Sequence, residues 1–280
     1  MKIHADVFHV TGAKLYYEVR GTGPVLLLIH GGASDANSFH FIVDQLAQTY
    51  TVVTYDRRGH YRSQIIDSTE EYEVSTHSHD AHLLLAHLTD QPVYVFGSSS
   101  GALIGLDFII RHPEQVKMLI PHEPPLFQML AEDDVKQASK MIQKLQTDYQ
   151  QWGAAKAMNR FGQALGMGNE EEGMIESVPE FDGNAHYFIT KEAIAALSYQ
   201  CDLTTLKALS SSILPAGGKE SRQYFPYICI SLLAGFLETE VIDFPSNHVG
   251  YVMEPKRFVR KLEQTLGMYN IRLKKNLHSS

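Results

Sequence analysis

A serine set between glycines is the feature of this sequence that points most directly to chemistry. Residues 97–101 spell Gly-Ser-Ser-Ser-Gly, after the apolar run 93–96 and before the apolar stretch 102–106. A serine at the tip of a sharp strand-to-helix turn is strained, and only very small residues fit two positions before and after it. Of the three serines, only Ser99 has glycine at both positions. The pattern predicts that Ser99 is a nucleophile; a glycine- and serine-rich loop that caps a helix is the plainer alternative.

A nucleophilic serine needs a base, and the base needs a carboxylate to orient it. Among the 14 histidines, His248 lies in a loop just after the last predicted strand. Two acids compete for the third position. Glu220 follows the predicted strand 213–216, and Glu123 follows the predicted strand 117–120. Glu220 is preferred, because it gives the chain order nucleophile, acid, histidine; Glu123 is kept as the alternative.

The oxyanion of an acyl-transfer reaction needs backbone N–H donors that are already in position. One predicted donor is Ser100, the residue after the nucleophile. The other is Gly32, in the loop His30-Gly31-Gly32-Ala33 that follows the apolar run 25–29. Glycines in such a loop also serve as plain turn residues, so this motif indicates an oxyanion site only in combination with Ser99.

No metal site or cofactor site is predicted. His79 and His82 stand three residues apart on one face of a predicted helix, a spacing at which two histidines can share a metal ion. A polar helix face is the preferred interpretation of this pair. Residues 217–220, Gly-Gly-Lys-Glu, lack the glycine spacing and the Ser/Thr of a phosphate-binding loop.

The elements that must position these residues alternate between strand and helix patterns. Beyond a hairpin near the N-terminus, short apolar runs recur, and amphipathic stretches lie between them. The runs are 25–29, 52–55, 93–96, 117–120, 213–216 and 241–244. Such alternation predicts an α/β fold with a mostly parallel central sheet flanked by helices.

The alternation stops after Pro124 and Pro125 and resumes near Ile213, with helical patterns in between. We therefore expect a core made of residues 1–125 and 207–280, and a helical cap, or lid, made of residues 126–206 and inserted between two strands. A separate, independent domain is the less economical alternative.

Composition limits the partners. The chain has 280 residues and a formal net charge of −8, which argues against a nucleic-acid partner. It has no apolar run near the ~20 residues that span a bilayer, so no membrane partner is expected. Two isolated cysteines and the lack of a signal-like N-terminus favour the cytoplasm. We expect a small-molecule substrate and a monomer or homodimer.

Taken together, these motifs resemble the α/β-hydrolase superfamily, and in particular its cap-bearing serine hydrolases. His30-Gly31-Gly32 is similar to the oxyanion motif of the family, and residues 55–60, Tyr-Asp-Arg-Arg-Gly-His, resemble its Asp-x-Arg-Gly-x-Gly loop. Residues 247–250, Asn-His-Val-Gly, are similar to the stretch around its catalytic histidine. The resemblance covers about 5–125 and 207–267. Tyr61 and Asn247 stand where the family has glycine, and Glu220 where it more often has aspartate.

The resemblance implies a serine hydrolase that acts on a small to medium carboxylic ester through an acyl-enzyme. The same triad in the family also supports carbon–carbon bond hydrolysis and cofactor-free perhydrolysis. Epoxide hydrolases and dehalogenases are disfavoured, because those families carry aspartate where Ser99 stands. A ligand-binding or signalling protein on the same fold is the alternative from another class.

Overall fold

The computed structural model describes residues 2–66, 71–168 and 179–277. These residues form nine strands and eleven α-helices. The strands are β1 (Ile3–Val10), β2 (Ala13–Arg20), β3 (Val25–Ile29), β4 (Thr51–Tyr55), β5 (Gln64–Ile65), β6 (Val93–Ser98), β7 (Val116–His122), β8 (Ala216–Gly218) and β9 (Ile242–Phe244). The helices are α1 (His40–Leu46), α2 (Val74–Leu88), α3 (Ser100–Arg111), α4 (Glu132–Trp152), α5 (Ala154–Ala164), α6 (Pro179–Tyr187), α7 (Ala193–Ser198), α8 (Leu203–Ala208), α9 (Phe225–Phe236), α10 (Gly250–Met253) and α11 (Pro255–Leu277).

One sheet organises the chain, with the strand order β1-β2-β4-β3-β6-β7-β8-β9 and β5 beside β2. The pairs β1–β2 and β2–β4 are antiparallel, and every pair from β4 to β9 is parallel. The predicted α/β architecture with a mostly parallel sheet is therefore confirmed. The carboxyl ends of the parallel strands all meet at one edge, which is where such sheets usually bind ligands.

Apolar cores cover both faces of the sheet. Successive side chains of a strand point to opposite faces, and β3 shows the consequence. Leu27 and Ile29 join a core that is covered by α2, α3 and α9, whereas Leu26 and Leu28 join a second core with α1 and α11. A continuous apolar run is thus the pattern of a strand that is buried on both sides, as predicted for 25–29.

The strand predicted at 213–216 is shifted in the structure. Ile213 makes only an isolated bridge to Leu119, and β8 begins at Ala216. Pro215 precedes the strand and contributes its carbonyl, which accepts the Ile242 N–H at 2.8 Å. A proline at this position costs no ladder hydrogen bond, because the sheet uses only its acceptor.

The described residues between β7 and β8 form helices joined by loops, and Ile213 makes an isolated bridge. We call residues 126–206 the helical insertion. It includes α4 to α7 and one π-helical turn, Phe188–Glu192. Its own apolar cluster contains Ile142, Leu145, Ala157 and Phe188, and it takes in Ala33 from the loop after β3. The insertion is therefore packed against the predicted oxyanion loop. None of the described helices is both long and apolar enough to cross a membrane.

Candidate active site

The turn that holds Ser99 has the strain expected of it. Ser99 separates β6 from α3 and has φ 53° and ψ −120°, a backbone conformation that residues other than glycine rarely adopt. A Cβ on Gly97 would lie 2.4 Å from the Gly101 carbonyl oxygen, and a Cβ on Gly101 would lie 2.2 Å from the Ile29 carbonyl oxygen. Both glycines are thus required by close backbone approach, and the turn presents Ser99 at the carboxyl edge of the sheet.

The end of β7 lies directly beside this turn. The register pairs Ser98 with His122, and the Ser99 N–H donates to the His122 carbonyl at 2.9 Å. The next residue, Glu123, turns the chain out of the strand with φ 51°. Its own N–H donates to the Ala216 carbonyl at 3.0 Å. The backbone therefore fixes Glu123 at the edge where Ser99 stands.

Glu123 and His248 form a buried hydrogen-bonded pair. His248 Nδ1 is bonded to one carboxylate oxygen, and the other oxygen accepts the Gly218 N–H at 2.7 Å. The Glu123 side chain is 0 % exposed and that of His248 is 5 % exposed. Because an ionised carboxylate only accepts, Nδ1 carries the proton and Nε2 is left as the basic nitrogen of the ring.

The surroundings keep this carboxylate ionised. Burial opposes the charge on Glu123, yet its pKa lies below its ordinary value, because of the hydrogen bond and charge of His248, the charge of His122 and the Gly218 N–H. The pair thus has an ionised carboxylate beside an imidazole, which is the arrangement that stabilises a histidine when it accepts a proton.

Glu220, the acid preferred from chain order, lies elsewhere. Its side chain is 57 % exposed and pairs with Lys219 Nζ at 3.7 Å. The physical reason is the shift of the strand: β8 continues to Gly218, so Glu220 falls in the surface turn beyond it, where its N–H donates to the Ser246 carbonyl. The structure brings the alternative acid, Glu123, to His248, and the preference for Glu220 is corrected accordingly.

The predicted oxyanion loop is held by buried hydrogen bonds. His30 Nε2 accepts the Arg57 backbone N–H at 2.9 Å, so its Nδ1 carries the proton and donates to the Gly31 carbonyl at 2.8 Å. Arg57 Nη2 donates to the same carbonyl at 2.8 Å. A Cβ on Gly31 would lie 3.4 Å from Ser99 Cβ. The loop that carries Gly32 is therefore fixed against the Ser99 turn.

The second predicted donor, Ser100, is the first residue of α3. The N–H groups of a first helical turn have no acceptor within the helix, so that of Ser100 has none there. The partial positive charge of a helix N-terminus also favours a negative group at this position. Gly32 and Ser100 thus lie on the two backbone segments that flank Ser99.

A buried glutamate from the helical insertion also reaches this region, and the sequence analysis missed it. Glu192 is 1 % exposed and receives two hydrogen bonds from Arg57 Nη2, at 2.9 and 3.1 Å. His60 Nε2 lies 3.3 Å away, and the Ser100 side chain also lowers the pKa of the carboxylate. Although burial opposes ionisation, the Arg57 charge first and the His60 contact second hold the pKa of Glu192 far below its ordinary value.

Glu192 belongs to the π-helical turn, a feature found often at functional sites. The first residue of the same turn, Phe188, covers the predicted oxyanion loop: a Cβ on Gly32 would lie 2.3 Å from its ring. Nothing in the sequence separates Glu192 from the exposed glutamates, because a solitary acid in an amphipathic segment is ordinarily solvated. Among the described residues, a group of histidines that could hold a metal ion, His79, His82 and His112, lies outside this region.

Comparison with known proteins agrees with this architecture. Residues 24–184, more than half of the chain, match the family model of the alpha/beta hydrolase fold. An uncharacterized hydrolase, YraK, of Bacillus subtilis (strain 168) is 47% identical over 270 residues, which cover 95% of this chain and 97% of that protein.

Two solved structures share the fold at low identity. A carboxylesterase of Nitrososphaera gargenis is 17% identical, with a TM-score of 0.75 over 95% of this chain and 100% of its own. A candidate epoxide hydrolase of Pseudomonas aeruginosa is 17% identical, with a TM-score of 0.71 over 96% of each chain. With its fold, its family match and a hydrolase-named relative of nearly equal length, the chain belongs to the alpha/beta hydrolase family.

Proposed function

We propose that this chain is a serine hydrolase that cleaves small to medium carboxylic esters through an acyl-enzyme, with Ser99, His248 and Glu123 as its catalytic triad. The observation that carries the proposal is the buried Glu123–His248 pair, held at the same sheet edge as the strained Ser99 turn. Acyl transfer requires a serine that can attack the carbonyl and a histidine that is oriented to take its proton.

In the first half-reaction, His248 Nε2 removes the proton from Ser99 Oγ as this oxygen attacks the ester carbonyl. The histidine becomes positively charged, and the ionised Glu123 stabilises that charge without itself taking the proton. His248 then gives the proton to the departing alkoxide, so that an alcohol leaves and an ester of Ser99 remains. In the second half, His248 removes a proton from water, which attacks this ester and releases the acid.

Between these steps the carbonyl oxygen carries a negative charge. The N–H groups of Gly32 and Ser100 are the proposed donors to it. Each such donor is worth about 3 kcal/mol of the barrier, provided that it is fixed before the reaction. The bonds of His30 and Arg57 to the Gly31 carbonyl support this preorganisation, because they hold the loop whether or not a substrate is bound.

The proposed size of the substrate follows from the helical insertion, which we propose acts as a cap. The Phe188 ring lies over Gly32 and forms an apolar wall beside the reacting carbonyl. A short acyl group fits such a wall better than a bulky or charged one. Esters with acyl chains of a few carbons are therefore the proposed class.

The test is a comparison of purified wild-type protein with Ser99→Ala on p-nitrophenyl acetate, butyrate and laurate, and on styrene oxide. We expect turnover of the short esters, little turnover of laurate and none of the epoxide, and a fall in kcat of about 10⁴-fold or more in the variant. Circular dichroism of both proteins controls for folding. Full ester turnover by Ser99→Ala would exclude the mechanism, and faster opening of the epoxide would exclude the substrate class.

A further inference from the structure

Three histidines from two packed helices meet at the surface, outside the candidate active site. His79 and His82 lie one turn apart on α2, and His112 directly follows the last residue of α3. One ligand nitrogen from each histidine lies within 4.8 Å of those of the other two. We call these three residues the histidine cluster. The sequence places His79 and His82 on one helix face, and the fold adds His112.

The rings of the cluster are already ordered. Those of His82 and His112 stack with centroids 3.7 Å apart and planes 4° from parallel. The His79 ring centroid lies 5.5 Å from that of His82 and 6.3 Å from that of His112. The three imidazoles therefore already lie near one another before a ligand binds.

The partners of the cluster orient its nitrogens in the way that metal ligands are commonly oriented. His82 Nδ1 is bonded to the Gln115 Oε1 at 2.9 Å, and His112 Nδ1 lies 3.6 Å from the Glu114 carboxylate. Because both partners are acceptors, they favour a proton on Nδ1 and leave Nε2 unprotonated. Metal-bound histidines typically donate their second ring N–H to an oxygen of this kind.

An ion could also enter and leave the cluster. His79 and His112 line an open cleft with a volume of about 820 Å³, and His79 is exposed. An ion held by His79 and His112 would thus face water in this cleft, although His82 does not line it. The distance from Ser99 is set by α3, whose twelve residues at 1.5 Å each separate the two sites by about 18 Å.

We propose that the histidine cluster binds a divalent first-row transition ion, with Zn²⁺ as the reference ion, and that the bound ion links α2 to the end of α3. Three neutral imidazoles suit Zn²⁺, Cu²⁺ or Ni²⁺, whereas Mg²⁺ and Ca²⁺ require oxygen ligands. Zn–N bonds of about 2.1 Å in a tetrahedral site bring the nitrogens to about 3.4 Å from one another. Two ring planes that are 4° from parallel cannot both contain one ion, so the rings of His82 and His112 turn out of their stack when the ion binds.

The experiment titrates the full chain, without a histidine tag, with Zn²⁺ against a chromophoric zinc indicator, and with Co²⁺ while the visible d–d bands are recorded. We expect one ion per chain, a Co²⁺ spectrum of low coordination number and a rise in Tm with Zn²⁺ but not with Mg²⁺. His79→Ala, at an exposed position, and His112→Gln should each weaken Zn²⁺ binding at least tenfold.

His87→Ala is the matched control, since His87 is an exposed histidine on α2 that stacks on Phe8 outside the cluster. It should leave Zn²⁺ affinity unchanged. The proposal is overturned if the wild-type chain binds no Zn²⁺, or if His79→Ala and His112→Gln bind it as tightly as the wild-type chain does. Ester turnover with and without Zn²⁺ separates this result from that on the candidate active site.

Discussion

Two buried glutamates lie beside the Ser99 turn, and their partners differ in one respect that decides what each can do. Glu123, at the end of β7, is bonded to His248 and to the Gly218 N–H. Glu192, in the helical insertion, is bonded to Arg57 and lies 3.3 Å from His60. Both carboxylates are ionised against the opposition of burial, as the lowered pKa of each indicates.

The difference is that the main partner of Glu123 is an imidazole, which can gain and lose a proton near neutral pH, whereas the main partner of Glu192 is a guanidinium, which stays charged. Burial and then the Arg57 charge lower the pKa of the second partner of Glu192, His60. The Glu123 pair can therefore change its charge during a reaction. The Glu192–Arg57 pair keeps its charge at all times, and its bonds hold the insertion against the loop that carries Gly32. From this comparison we assign chemistry to Glu123 and the positioning of backbone to Glu192.

The strongest test of the distinction is Glu123→Gln. The amide cannot stabilise a protonated His248, so we expect kcat for a short ester to fall about 10³-fold or more, with little change in KM. Glu220→Gln is the matched control, because it removes an exposed carboxylate at the same edge of the sheet. The control should keep kcat within about twofold. Equal losses in the two variants would contradict the assignment of Glu123.

Glu192→Gln should instead act on stability. It leaves the Arg57 charge buried without its carboxylate, and breaking a buried pair in this way costs about 3 kcal/mol. Urea unfolding measures the change in the free energy of unfolding. Glu71→Gln, which removes an exposed ion pair with Lys191, should change it by less than about 1 kcal/mol. A stable Glu192→Gln protein with kcat reduced 10³-fold would assign chemistry to Glu192 instead.

How much of this site could be predicted differs from residue to residue. Ser99, Gly32, Ser100 and His248 could be proposed as site residues because local rules govern them: a turn that needs glycine, a strand end, a loop before a helix. The alternation of strand and helix similarly predicted the α/β fold, which the structure confirms. The structure also places Ser99 in a strained turn between β6 and α3, as its flanking glycines predict.

The positions of Glu123 and Glu192 depend on contacts between residues that are far apart in the sequence. Glu123 and His248 are 125 residues apart, and Arg57 and Glu192 are 135 apart. A shift of β8 by a few residues moved Glu220 out to the surface, and no local pattern determines such a shift. The burial of Glu192 depends on how the insertion packs, which its amphipathic sequence does not specify.

A third buried group extends the comparison, because His122 lies next to Glu123 and neither of its ring nitrogens has a hydrogen-bond partner among the described residues. Burial is the main cause that lowers its pKa to about 4, and the charge of His248 adds to it, while Glu123 opposes both. The folded protein therefore binds this proton less readily than the unfolded chain, whose histidine titrates near 6.5. Stability contributed by the neutral ring is present above pH 6.5 and is lost as the pH falls toward 4.

We expect His122 to account for about 2 kcal/mol of the stability lost between pH 7 and pH 5. The measurement is the free energy of unfolding in urea at both pH values for the wild type and for His122→Leu. The variant should lose about 2 kcal/mol less over this interval, whatever its stability at pH 7. An unchanged pH dependence would show that the pKa of His122 is not lowered in the folded protein.

The smallest effect is expected for Ser100→Ala, because Ser100 bears on both Glu192 and the proposed oxyanion site. The side chain of Ser100 helps to lower the pKa of Glu192, whereas its backbone N–H is the proposed oxyanion donor. Alanine removes only the hydroxyl, so we expect a loss of about 1 kcal/mol in stability and a kcat within about fivefold of wild type. A loss of kcat beyond 100-fold would mean that the hydroxyl itself takes part in the reaction.

The central claim is that Ser99 is activated by His248 and that Glu123 orients this histidine. It is tested most directly by labelling the wild-type protein, His248→Ala, Glu123→Gln and Glu220→Gln with a fluorophosphonate, and by locating the adduct by mass spectrometry. We expect one adduct, on Ser99, formed rapidly in the wild type and in Glu220→Gln, slowly in Glu123→Gln and not at all in His248→Ala. An adduct on another residue, or labelling that depends on Glu220 and not on Glu123, would contradict these roles.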